Sequence, residues 1–131
     1  EKFEMEIYSD KRSQKFNELN LNNNVEICWL FYKSKCQFRF RGTSRIELGM
    51  GNKHHWDQLS EKSKSMWSWP IPGDPFYYKQ KEIKAKEDIS NNFALLKINI
   101  TQVDQLLLLN DIHKRRRWLR ETEWMEERIN P

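Results

Sequence analysis

Apolar and polar residues alternate at the start of the chain, with Phe3, Met5 and Ile7 set against Glu4, Glu6 and Tyr8, the period of a half-buried strand. Ser9 or Asp10 then stands where a helix cap belongs, and Phe16 and Leu19, three apart, predict a helix over residues 11–19. NLNNN reads as a turn. In VEICWLFY, Val25, Ile27, Trp29 and Phe31 face one way in residue types that strands favour. After KSK, CQFRFRGTSRIEL runs back antiparallel, with Cys36, Phe38 and Phe40 on one face and Gln37, Arg39 and Arg41 on the other. Trp29, Phe31, Phe38 and Phe40 are read as core. Gly42 interrupts the second strand as a bulge or barrel corner does, and the strand resumes through Ile46 and Leu48.

Residues 54–68 place Trp56, Leu59, Ser63 and Met66 or Trp67 at helical spacing. Pro70, Pro72, Gly73 and Pro75 end that helix, and a Lys-rich, weakly periodic segment from Lys79 to Asp88 reads as a surface excursion. Strand patterns return at 93–100, 103–109, 113–121 and 124–131, with NDI as a hairpin turn between the second and third of these. Six or seven antiparallel strands and two or three helices predict a mainly β, α+β domain. Its simplest form is a small barrel closed on itself to hide its edges. At 131 residues the chain is expected to fold as a single domain.

Composition narrows this picture. Six Trp and an aromatic share of 13% supply too much ring surface for a disordered chain. The net charge of +4 favours an anionic partner without choosing among nucleic acid, membrane and a small phosphate, because 23 basic residues face 19 acidic ones. Cys28 and Cys36 are the only thiols and lack CxxC spacing, which fits a reducing, cytoplasmic setting rather than a disulfide framework. No apolar run is long enough to span a membrane. His54, His55 and His113 with two Cys have no zinc spacing, and no nucleophile elbow, Gly-rich phosphate loop or HExxH motif is present.

Three clusters carry candidate chemistry. A helix start leaves backbone N–H groups unpaired and bears about half a positive charge, so a phosphate is favoured there. Ser9, Arg12, Ser13 and Lys15 add donors around that point. From these residues alone, a capped, solvated helix is the simpler reading, since many helices begin this way. Gln37, with Arg39 and Arg41, presents an amide that can meet a heterocycle edge, or simply a solvent face. HKRRRW at 113–118 is the densest basic run, but strand alternation parts Lys114 and Arg116 from Arg115 and Arg117, which argues against a nucleic-acid stripe.

Four segments, in order, resemble the pyridoxamine 5'-phosphate oxidase-like FMN-binding proteins, in particular a branch common in cyanobacteria. YSDKRSQK is similar to the family's T-(D/N)-x-x-S-x-K element through Ser9, Asp10, Ser13 and Lys15. VEICWLFYKSKCQFRFRG resembles its Gln-bearing hairpin, HWDQLSEKSKSMWSWPIPG its helix and Pro-rich turn, and the segments from VDQLLLL to WMEERINP its last strands. The resemblance implies an FMN-binding split β-barrel, with FMN held non-covalently at a homodimer interface. By the same resemblance Ser13 and Lys15 hold the FMN phosphate, Tyr8 and Ser9 line the approach to the flavin, Gln37 contacts the isoalloxazine and Arg115 sits near it.

Two departures from the family pattern shape the expected activity. Two strands that precede this region in the family, with an R-x-V-x-x-(R/K) segment that also grips the phosphate, are missing before Glu1, so the barrel is expected to be incomplete at its N-terminus. The true oxidases also carry a Trp where this chain has the leucines of VDQLLLL, and an R-x-H pair of which only His113 remains. The expectation is therefore a flavin-dependent oxidoreductase of unknown substrate, not one that turns over pyridoxamine 5'-phosphate. The alternative is a flavin-free split barrel serving as an interaction module. Neither nucleic acid nor membrane is expected as a partner.

Overall fold

The computed structural model describes residues 3–76 and 83–131. Its strands are β1 (Glu4–Asp10), β2 (Asn24–Phe31), β3 (Cys36–Leu48), β4 (Phe93–Leu107), β5 (Lys114–Leu119) and β6 (Glu126–Ile129), and its helices are α1 (Gln14–Leu21), α2 (Lys53–Asp57) and α3 (Glu61–Ser65). Single 3-10 turns at Met50–Asn52, Met66–Ser68 and Arg120–Thr122 complete it. Residues 79–82 of the expected surface excursion lie outside the described residues. The chain forms two compact units, residues 1–5, 24–44 and 98–131 in the first, and 6–23 and 45–97 in the second.

The sheet order is β2-β3-β4-β5-β6, with β1 pairing β4. β2 and β3 form the expected hairpin, in register from Asn24↔Thr43 to Phe31↔Cys36. Its loop, residues 32–35, closes through the Lys35 N–H donating to the Tyr32 carbonyl at 3.2 Å, with Lys35 at φ 47. β5 pairs antiparallel with β4 and with β6. Among the described residues the order runs from β2 at one edge to β6 at the other, so the sheet is open where a closed barrel was expected.

Three other expectations are corrected. The patterns at 93–100 and 103–109 are one strand of 15 residues, β4, because nothing between them breaks β geometry and Thr101 and Gln102 tolerate it. Gly42 does not end β3. An added Cβ there would lie 2.2 Å from the Asn99 carbonyl oxygen, so the glycine serves close backbone approach inside a continuous strand. Trp29 and Phe31 are not core: they are 51% and 40% exposed, stacked on each other at 5.1 Å, with Phe38 edge-on to Phe31 and stacked on Phe40. Alternation tells which residues share a face, and says nothing of whether that face is covered.

The second unit holds the densest core. Trp56, Trp67 and Phe93 pack edge to face, with ring centroids 5.0–5.6 Å apart, and Leu59 and Ile89 pad the cluster. Each indole N–H has a carbonyl acceptor: Trp56 donates to Glu87 at 3.3 Å and Trp67 to Ser9 at 2.8 Å. Phe93, Ala94, Leu95 and Leu96 are all buried, so β4 is covered on both faces where it starts. The helix expected over 54–68 is two short ones. Ser60 splits it by accepting from the Ser63 N–H through its side chain, the capping bond that favours a new start over continuation. α1 begins at Gln14, three residues later than expected, because residues 10–13 form a hydrogen-bonded turn instead.

Two stability outcomes follow. Gly42→Ala should destabilise by roughly 1–3 kcal/mol or more, since backbone rather than a flexible side chain blocks the new methyl, while Gly51→Ala, with nothing within 4 Å, should be nearly neutral. Equal urea midpoints for the two variants would refute the close-approach account. Trp67→Phe keeps a ring in the cluster but removes its buried hydrogen bond to the Ser9 carbonyl. It should lose about 0.5–1.5 kcal/mol in the same assay, and an unchanged midpoint would mean that the indole bond contributes nothing.

Candidate functional site

Where β1 ends, the chain makes a tight turn before α1. The Ser13 N–H and the Ser13 hydroxyl both donate to the Asp10 carbonyl, at 3.0 and 2.8 Å. Ser13 thus occupies the helix cap position in extended conformation (φ -73, ψ 150), yet its side chain faces back into the turn and caps no helix N–H. Phe16 N–H reaches the Ser13 carbonyl at 3.0 Å. The N–H groups of Gln14 and Lys15 precede any intrahelical acceptor and have none among the described residues.

The Asp10 carboxylate is consumed by Arg12. It accepts from the Arg12 backbone N–H at 2.8 Å and from Nε and Nη2 of its guanidinium at 3.0 and 2.7 Å. The far side of the same guanidinium donates to the Trp69 and Trp67 carbonyls, at 3.0 and 3.3 Å. The hydrogen bond to Asp10 raises the Arg12 pKa, partial burial opposes it, and the charge of Asp10 adds to the rise. Arg12, expected among the phosphate donors, is instead a strap that fixes the Trp-Pro segment to the turn.

Around this turn lies a cavity of about 570 Å³, wholly within the second unit. Four of the six residues singled out from the sequence line it: Tyr8, Ser9, Ser13 and Lys15. Trp67, Trp69, Pro70 and Pro72 supply much of the rest, so the Pro-rich segment is a cavity wall. Ser9 is buried and Lys15 exposed. The Lys15 ammonium has no carboxylate partner among the described residues. Tyr8 packs its ring against Phe93 at 5.5 Å and sets its hydroxyl 3.3 Å from Nδ1 of His55, a buried residue weighed in the sequence only for zinc spacing and as the start of the HWDQLSEKSKSMWSWPIPG segment.

The other two predicted residues, Gln37 and Arg115, line a smaller cavity of about 170 Å³ in the first unit, with Arg39, Asp104, Leu106 and Pro131. Arg115 faces Leu106 across the strands and reaches diagonally to Asp104, Nη2 to Oδ1 3.1 Å. Asp104 is 3% exposed, and its second oxygen accepts from Gln102 Nε2 at 2.6 Å. The Gln37 amide donates to Cys28 Sγ at 3.1 Å. Asp104 went unnoticed in the sequence although a lone carboxylate in VDQLLLL is a signal: a buried charge needs a partner, and Arg115 is it. Among the described residues no group of three or more His, Cys, Asp or Glu is placed to hold a metal, and no helix is long and apolar enough to cross a membrane.

The model of the pyridoxamine 5'-phosphate oxidase FMN-binding domain matches residues 1–47. A pyridoxamine 5'-phosphate oxidase-related, FMN binding protein from Nostoc punctiforme PCC 73102 superimposes with a TM-score of 0.82 at 26% identity, over 98% of this chain and 73% of that one. PhzG from Burkholderia lata 383, solved with tetrahydrophenazine-1-carboxylic acid, is similar in fold with a TM-score of 0.75 at 14% identity, over 96% of this chain and 68% of that one. No curated protein matches the chain in sequence. The stretch through β1, α1 and the β2–β3 hairpin thus matches the pyridoxamine 5'-phosphate oxidase FMN-binding domain, and the chain as a whole carries the split-barrel fold of the FMN-binding proteins of that kind.

Proposed function

We propose that the chain binds FMN, with the phosphate seated at the start of α1, and that it acts as a flavin-dependent oxidoreductase. The observation that carries this reading is the convergence of Tyr8, Ser9, Ser13 and Lys15 on one cavity, inside the stretch that matches the FMN-binding domain. At about 570 Å³ the cavity lies within the roughly 300–1,000 Å³ range of small-molecule and cofactor sites.

The donor set fits a phosphate. Two backbone N–H groups and the positive end of α1 are joined by the Lys15 ammonium, and Arg12 already neutralises the nearby Asp10. The Ser13 hydroxyl, now on a backbone carbonyl, would exchange a neutral acceptor for a charged one by turning to a phosphate oxygen, a stronger bond. Trp67, Trp69, Pro70 and Pro72 would shield the ligand from water. When bound, the flavin supplies electron and hydride transfer. Gln37 and Arg115, which the family resemblance assigns to the flavin, have their own cavity, and the phosphate seat does not draw on them.

The reading includes a homodimer. The exposed rings of Trp29 and Phe31 give a second copy an apolar surface to cover. The reading places the protein in a reducing, cytoplasmic compartment, because two thiols without CxxC spacing do not make a disulfide framework.

Titration with FMN, followed by flavin fluorescence, tests the seat. Each hydrogen bond to a charged group is worth about 1.5–3 kcal/mol, so Ser13→Ala combined with Lys15→Ala should weaken FMN binding by roughly 100-fold or more. Unchanged affinity would put the phosphate elsewhere. Protein that stays colourless and takes up no FMN would favour the flavin-free interaction module, and a monomer by light scattering would refute the dimer.

A further inference from the structure

Tyr8 stands at the head of a second set of contacts in the second unit. Its hydroxyl lies 3.3 Å from His55 Nδ1, and the other ring nitrogen, Nε2, lies 3.8 Å from a Glu6 carboxylate oxygen. Glu6 is in turn 3.6 Å from the Lys97 ammonium, which also meets Glu47 at 3.3 Å, and the His54 ring sits 3.8 Å from that of His55, centroid to centroid. His55 is buried, so its two nitrogens have these groups rather than bulk water as neighbours.

The chemistry of the three groups sets the direction of the Tyr8–His55 hydrogen bond. The Glu6 carboxylate, at an ion-pair distance of 3.8 Å from Nε2, attracts a hydrogen there and so favours the imidazole tautomer that carries it on Nε2. In a neutral imidazole Nδ1 is then bare and must accept, and the Tyr8 O–H must donate to it. The Tyr8 oxygen is left with lone pairs only. When His55 takes a proton at Nδ1, both ring nitrogens donate. Nδ1–H now points at the Tyr8 oxygen, and the Tyr8 O–H is released to donate elsewhere.

We propose that Tyr8, His55 and Glu6 form a relay in which the protonation of His55 reverses the hydrogen-bond polarity of the hydroxyl of Tyr8, a residue that lines the cavity. With His55 neutral, that hydroxyl accepts from a ligand N–H or O–H. With His55 protonated, it donates to a carbonyl or an anionic oxygen. Tyr8 is therefore a residue that selects ligand polarity, and His55 and Glu6 are positioning residues that act through it. The relay does not depend on the identity of the ligand; its use in cofactor binding rests on the FMN reading above.

Imidazole proton–nitrogen correlation spectra of the nitrogen-15-labelled chain from about pH 5 to pH 8 test the relay without any ligand. His55 should be the Nε2–H tautomer at the upper end, and Tyr8→Phe, which keeps the ring on Phe93, should shift its Nδ1 resonance while leaving that of His113 unmoved. An Nδ1–H tautomer, or a His55 indifferent to Tyr8→Phe, overturns the proposal. The second arm compares FMN dissociation constants of Tyr8→Phe and the unmodified chain at both ends of that range; the phosphate of FMN titrates in both and cancels in their ratio. The ratio should differ between the two ends by about three- to tenfold, as for one hydrogen bond gained or lost, and this difference should vanish in a His55→Gln background. A ratio that is the same at both ends overturns the switch. If FMN does not bind the unmodified chain at all, the cofactor reading fails, and the imidazole spectra alone decide the relay.

Discussion

At the end of β1 the Ser9 carbonyl is out of reach of water, and the Trp67 indole meets it at 2.8 Å. A buried indole N–H without an acceptor would cost about 1–3 kcal/mol, so where the Trp67 ring is wedged the Ser9 carbonyl must meet it. The same indole is wedged against Trp56 and Phe93, and one turn later Trp69 and Pro70 leave as the cavity wall. The indole, held in register by two neighbouring rings, and the Arg12 guanidinium, bound to the Trp67 and Trp69 carbonyls, together hold the Pro-rich segment at the end of β1.

Charge is arranged on the same frame. Asp10 and Arg12 are two residues apart and could each attract a ligand, but bound to each other they cancel, and the arginine spends its remaining donors on the Trp67 and Trp69 carbonyls. A guanidinium suits this task because its planar fork meets a carboxylate on one edge and carbonyls on another. Left without a carboxylate among the described residues are Lys15 and the open N–H groups at the start of α1. The flexible cation lines the cavity, and the rigid one is bound into the framework.

The sequence was legible where local rules govern and opaque where packing decides. Alternation found β1 and the β2–β3 hairpin, and the family resemblance picked four residues that the fold brings to one cavity. It could not show that Ser13 turns its hydroxyl inward, since cap and turn bonds use the same residue types. Arg12 was misread because a cation beside a candidate site looks like a ligand donor until its acceptors are known. His55 was weighed only for zinc spacing and as the start of the HWDQLSEKSKSMWSWPIPG segment, and only the fold sets Tyr8 on one nitrogen and Glu6 near the other. The open sheet and the exposed Trp29 and Phe31 escaped for a third reason, because period reports shared faces and topology reports cover.

The basic run on β5 illustrates how register turns composition into structure. Residues 115–117 look like a nucleic-acid stripe, yet antiparallel pairing with β6 sets Arg117 opposite Glu127 and lets Arg116 reach Glu126 on the diagonal, while Arg115 turns to buried Asp104 on β4. The hydrogen bond to Glu127 and its charge raise the Arg117 pKa, so that guanidinium stays charged at any physiological pH. On β2 and β3, Glu26 likewise serves both Arg39 and Arg41. Three arginines in a row therefore present alternating, partnered charges rather than a continuous field. The net charge of +4 is a property of the whole chain. Recognition of an anion depends instead on where a cation is left without a carboxylate, beside N–H groups without an acceptor, and in the cavity that place is the first turn of α1.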